Sequence, residues 1–121
     1  MAEAYDPENL FAKILRGEIP CTKIFEDDHT LAFLDINPQA PIHALVIPKG
    51  AYVNMDDFTL HAPDEEIGAL MRATAHVARE LGLSEGGYRV IANIGEDANA
   101  DIPHLHLHIL GGKNLGHLLE R

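Results

Sequence analysis

The seven residues His104-Leu105-His106-Leu107-His108-Ile109-Leu110 constrain this chain more than any other stretch. The alternation has a period of two, which is the period of a pleated strand, where successive side chains point to opposite faces. Three imidazoles therefore share one face, while Leu105, Leu107 and Ile109 need an apolar layer on the other. Same-face neighbours lie roughly 7 Å apart, twice the strand rise, which is close enough to share a ligand the size of a phosphate group.

The rest of the chain supplies partners for such a strand. Asp6-Pro7 predicts a helix start, with the acid as cap and proline at the first helical position. Leu10, Phe11, Ile14 and Leu15 then fall on one face, and Arg16-Gly17 marks the stop. Thr22 to Glu26 and Thr30 to Leu34 predict a hairpin about the turn Asp27-Asp28-His29, and His43 to Pro48 predicts a third strand. Asp35 to Pro41 is turn chemistry. Residues 51–60 show no clear period and read as a loop or irregular turn.

A second helix begins near Asp64, with Ile67, Leu70, Met71, Val77, Ala78 and Leu81 at helical spacing and Gly82 just past its end. Gly87 to Ile94 and His104 to Leu110 are the last two strands. The expectation is an α+β fold: a mainly antiparallel sheet of about five strands with two helices. It forms a single domain over 1–121, with its core at about 10–112 and a short tail at 113–121.

Charge limits what such a domain can bind. Nineteen acids against nine bases give a formal charge of −10, which repels a polyanionic duplex; no nucleic-acid polymer is expected as a partner. No run approaches the roughly 20 apolar residues of a membrane span, and the acidic, polar start reads as neither a secretory signal nor a transit peptide. Cys21 is the single cysteine, which fits a reducing compartment, and a cytoplasmic setting is expected. A 121-residue domain buries a modest core and would gain from a second copy.

Three chemistries fit the histidine row. One is a solvated strand face, which suits a lone histidine better than three in register. A second is a zinc site, with His43 or Cys21 as a further ligand. The third is nucleophilic attack on phosphorus by a neutral imidazole, with its neighbours donating hydrogen bonds to phosphate oxygens. Spacing alone does not separate the second from the third.

The row continues into Gly111-Gly112, and upstream stand Phe25-Glu-Asp-Asp28, Leu31-Ala-Phe33, Pro38-Gln-Ala-Pro41, His43 and Leu45-Val-Ile-Pro-Lys49. In this order the segments resemble the histidine triad (HIT) superfamily, from about Leu10 to Gly112. The Gly111-Gly112 continuation resembles the Hint branch of nucleotide-binding purine nucleoside phosphoramidases more than the diadenosine-polyphosphate hydrolases. The resemblance implies a HIT-like fold whose sheet continues across a homodimer, where the second helix and penultimate strand meet their copies. It also implies hydrolysis of a purine nucleotide conjugate through a nucleotidyl-histidine intermediate, with no metal or cofactor. A non-catalytic nucleotide sensor or interaction module is the alternative, and a zinc protein the third.

Site residues carried by the resemblance are His106 as nucleophile, His104 and His108 at the phosphate and leaving group, and His43 in support. Asp35 matches the acid that accepts ribose hydroxyls; Phe11, Ile14, Ile19, Phe33 and Ile36 match the base pocket, and Asn93 an asparagine facing the phosphate. Without the resemblance, the apolar five would read as core and Asp35 as a turn cap. The chain departs from the family at Asn99-Ala100-Asp101, where Gly-Gln-Ser or similar is common. Asn99, counted with the nucleotide-binding residues, is the residue best able to keep a glycine's positive φ. A carboxylate about 5 Å from a phosphate charge costs roughly 3 kcal/mol at an effective dielectric near 20, so Asp101 must be protonated, turned away or offset by a histidinium. Because it stands where the family has a hydroxyl, it is read as an acid assisting the leaving group, with a solvent-facing loop acid as the alternative. Cys21 reads as packing; His29, His61, His76 and His117, with Lys49 and Lys113, read as surface residues.

Overall fold

The computed structural model describes residues 4–119. Five strands form one sheet: β1 (Lys23–Glu26), β2 (Thr30–Leu34), β3 (Ile42–Pro48), β4 (Tyr88–Ile91) and β5 (Leu107–Gly111). Their order is β1-β2-β3-β5-β4, and every pairing is antiparallel. The fold is α+β, as the sequence predicts, but it holds three α-helices rather than two: α1 (Leu10–Leu15), α2 (Met55–His61) and α3 (Asp64–Glu80).

α2 lies where a loop is expected. Asn54 caps it by accepting the Asp57 N–H, and Asp56 and Asp57 sit in the first turn, where carboxylates complement the helix dipole. Only Phe58 is buried on this short helix, so no apolar repeat marks it in the sequence. α1 also starts later than Asp6-Pro7 predicts. Its cap is Asn9, whose side chain accepts the Ala12 N–H at 2.9 Å, while Asp6 closes a turn onto the Glu8 N–H. α3 matches its predicted start and ends as expected on Gly82, at φ 75°.

The sheet is covered on both sides, which is why β2 and β3 are buried almost throughout. On one face Ala32, Ala44, Val46, Leu107 and Ile109 join Leu70, Ala73 and Val77 of α3 in the main core. The opposite face carries Leu31, Phe33, Leu45 and Ile47, and Phe11 of α1 covers them. His43 precedes Leu45 on this second face by the strand alternation. The Gly111-Gly112 pair ends β5 where space is short. A Cβ at Gly111 would lie 2.8 Å from Leu83 Cδ2, and Gly112 takes φ 93° beside Pro41.

Candidate active site

The histidine row begins before its strand. β5 starts at Leu107, so His104 to His106 lie ahead of the ladder, held by the Leu105 N–H donating to the Tyr52 carbonyl at 2.8 Å. The alternation nevertheless persists: Leu105, Leu107 and Ile109 enter the main core, and His106 turns to the α1 side, with its ring 4.9 Å from Phe11. His106 and His108 have ring centroids 5.1 Å apart. β3 pairs Leu45 with His108, which brings His43 diagonally against His108 at 5.1 Å.

Hydrogen bonds decide which nitrogen of each ring carries the proton. A carbonyl only accepts, so His106 Nδ1–H donates to the His104 carbonyl at 2.8 Å, and Nε2 keeps its lone pair. The Gln39 N–H donates to His43 Nδ1 at 3.0 Å, which makes His43 Nε2 a donor to His108 Nδ1 at 2.9 Å. His108 in turn holds its proton on Nε2. His104 is spent differently: Nε2–H donates to the Pro48 carbonyl at 2.8 Å, and Nδ1 accepts from the Tyr5 hydroxyl at 2.6 Å. With no exposed surface and both nitrogens engaged, His104 orients its neighbour and presents no free donor to a ligand.

Burial disfavours the charged form of His43, His104 and His108. It pushes His43 below the ordinary histidine range, against the pull of Asp35 Oδ2 at 3.4 Å. His104 is lowered by burial too, partly opposed by its bond to Pro48. Burial brings His108 down to about 4, helped by His106 and His43 and opposed by Asp35 and Asp101. An unfolded imidazole titrates near 6.5. Between that pH and about 4 the unfolded chain binds a proton that the native His108 refuses. Native stability is therefore expected to fall as pH drops through this window, by up to about 1.4 kcal/mol per pH unit, with no contribution from this group above it. Urea melts of His108→Asn should show a flatter acid limb; a profile parallel to wild type would refute the assignment.

Two clefts meet at His106. The first, of about 340 Å³, is mostly apolar, with Phe11, Ile14, Ile19, Phe33 and Ile36 on its walls and Asp35, His43, Asp101 and His108 at its polar end. The second, of about 380 Å³, is lined by Asn54, Asn93, Glu96, Asp101 and His104. His106, Asp101 and Ile102 line both. Ile36 is 86% exposed at the rim, whereas Phe11 and Phe33 are buried and serve the core as well as the wall. Asp35 combines two roles: Oδ1 accepts the Asn37 N–H at 2.8 Å and closes the turn, while the residue lines the cleft. Asp101 is exposed, and its Oδ1 accepts the Ile102 N–H.

Asn99 takes φ 55°, the one non-glycine residue at positive φ among the described residues, but it lines neither cleft. Lys49 is paired with Glu26 at 2.7 Å and also lies outside both clefts. His29, His61 and His76 sit beside Glu65, Asp57 and Glu80 on the surface. Cys21 packs with the α1 cluster and lines the apolar cleft, where burial pushes its thiol up. Tyr5, Ile102 and the Pro48 carbonyl were not singled out from sequence. A backbone carbonyl has no side-chain signature, and Tyr5 stands 99 positions from its partner.

Among the described residues, only His108 of the row belongs to a group that could converge on a metal. Asp35, His43 and His108 place one ligand atom each within 4.8 Å of one another. Zinc there would displace the proton that His43 and His108 share. The alternative reading of the row as a zinc ligand set meets nitrogens already bonded to carbonyls at His104 and His106. No helix among the described residues is long and apolar enough to cross a membrane.

Known proteins resemble this chain in sequence and in fold. The HIT domain family model matches residues 16–115. An uncharacterized HIT-like protein of Azospirillum brasilense is 59% identical over 121 residues, covering 100% of this chain and 99% of its own length. The purine nucleoside phosphoramidase of Escherichia coli K12 is 38% identical over 112 residues, covering 93% of each chain. Among solved structures, a HIT family hydrolase from Clostridium thermocellum superposes with a TM-score of 0.86 at 38% identity, over 93% of this chain and 97% of its own. With fold, histidine row and family match in agreement, the chain belongs to the HIT domain family.

Proposed function

We propose that the protein hydrolyses purine nucleoside phosphoramidates through a covalent nucleotidyl-His106 intermediate. The observation that carries this reading is the His106 Nδ1–H bond to the His104 carbonyl, which leaves the Nε2 lone pair on the wall shared by two clefts. The activity of the Escherichia coli relative supports the substrate class. The base enters the apolar cleft between Phe11, Ile14, Ile19 and Phe33, with Ile36 at the rim, and the ribose hydroxyls reach Asp35. His106 Nε2 attacks phosphorus as the P–N bond breaks. His108 Nε2–H donates to a phosphate oxygen, and the leaving amine departs into the polar cleft beside Asn93.

In this reading the Asp101 carboxyl gives its proton to the departing nitrogen. A water then attacks phosphorus, returns a proton to Asp101 and releases the nucleoside monophosphate from Nε2. Asp101→Asn is expected to lower turnover about tenfold or more and to alter the pH profile of kcat. An unchanged rate and profile would remove Asp101 from the mechanism. Asn99 supports the reading through the loop's backbone shape rather than through its side chain.

Single-turnover hydrolysis of an adenosine phosphoramidate tests the whole reading, with wild type and His106→Ala and with and without chelator. Loss confined to the variant supports covalent catalysis. AMP binding without turnover assigns a sensor, and loss on chelation assigns a metal at Asp35, His43 and His108.

The same reading includes a homodimer. β4 is one of the sheet's two edges, with Tyr88 and Val90 38% and 44% exposed, an apolar edge that calls for cover. Val90→Lys is expected to shift a sedimenting dimer to monomer at micromolar concentration; wild-type protein that sediments as monomer would sink this part.

A further inference from the structure

We infer that Tyr5 is a positioning residue for the nucleophile, acting on His106 through the ring and carbonyl of His104. The inference rests on the reading of His106 as the attacking group. Pro48 offers the buried His104 ring only an acceptor, at 2.8 Å from Nε2. The carbonyl only accepts, so it holds the His104 proton on Nε2, and the Tyr5 hydroxyl, donating at 2.6 Å, satisfies the remaining lone pair on Nδ1. Remove the hydroxyl and Nδ1 becomes a buried acceptor without a partner. The ring is then held from one side only, by its bond to the Pro48 carbonyl, and is free to tilt about it.

That movement reaches the nucleophile by two routes. The His104 carbonyl accepts the His106 Nδ1–H, so it sets both the tautomer and the direction of the attacking Nε2. Phe11 touches both rings edge-on, at 6.3 Å from His104 and 4.9 Å from His106. The arm that carries Tyr5 is itself anchored. The Asp6 carbonyl accepts from the buried Asn9 side chain at 2.7 Å, and Asn9 caps α1, which presents Phe11. Arg16 adds a bond to the Pro7 carbonyl at 2.7 Å. The N-terminal arm thus arrives at the row with a defined geometry.

Tyr5→Phe removes one oxygen and keeps the ring that packs 5.6 Å from His104. Two measurements on the full chain test it: nitrogen-15 NMR of the histidine rings, and single-turnover hydrolysis of an adenosine phosphoramidate. The expected result is a shift of the His104 Nδ1 signal with Nε2 still protonated, a shift of the His106 ring signals and about a tenfold fall in the chemical step. AMP affinity should stay within about twofold, because Tyr5 lines neither cleft. Unchanged His104 ring signals overturn the inference, as does an unchanged rate with altered signals. If His106→Ala retains turnover, the nucleophile reading and the positioning role fall together; the His104 signals alone still report whether Tyr5 governs that ring.

Discussion

His106→Ala is expected to abolish the nucleotidyl-enzyme intermediate and to slow single-turnover hydrolysis by on the order of 10³-fold, about 4 kcal/mol of barrier. The size follows from what the ring supplies. His106 is 6% exposed, its Nδ1 is tied to the His104 carbonyl, and only Nε2 is free to attack. Among the described residues neither cleft is lined by a lysine or arginine, so none of these cations takes over charge stabilisation there. Without His106, catalysis reduces to binding and the His108 donor. Gel or mass-spectrometric trapping of the nucleotidyl adduct, with the rapid-quench rate, checks the result. Turnover within about tenfold of wild type would show that the covalent route is wrong.

The largest stability effect is expected at Phe58. Phe58→Ala should cost about 3–5 kcal/mol, a large share of the roughly 5–15 kcal/mol available to a small domain. Phe58 is 2% exposed and is the one buried side chain of α2. Its ring meets Tyr52 edge-on at 4.9 Å, and the Tyr52 hydroxyl donates to Glu66 of α3 at 2.9 Å. The Tyr52 carbonyl also holds the Leu105 N–H, inside the histidine row. Phe58 thus ties α2 to the main core and braces the backbone that presents His106. Urea unfolding measures the cost; a loss below about 1 kcal/mol would mean α2 is an appendage.

Legibility followed the physics of each element. α3 was readable because seventeen residues repeat an apolar face, and β5 because the pleat alternates. α2 was not, since a seven-residue helix anchored by one phenylalanine has no period to detect. The α1 cap lies three residues beyond the Asp6 that the sequence predicts. Asp6-Pro7 carries a valid helix-start signature, but Asn9 was the side chain in reach of the Ala12 N–H. Of the base-pocket candidates, sequence could not divide wall from core: Phe11 and Phe33 are both, whereas Ile36 is mostly in solvent.

Charge shows the division most clearly. From sequence, four converging histidines in a −10 chain suggest local positive charge for a phosphate. The structure makes His43, His104 and His108 harder to protonate, because burial penalises the charged ring. A phosphate would meet neutral donors rather than cations. The sequence by itself determined which side of the sheet each histidine takes, since alternation is a property of the chain's own pleat. Tertiary structure decided which nitrogen carries each proton. That choice depends on the Pro48 and His104 carbonyls and the Gln39 amide, groups that only the folded chain brings within bonding distance.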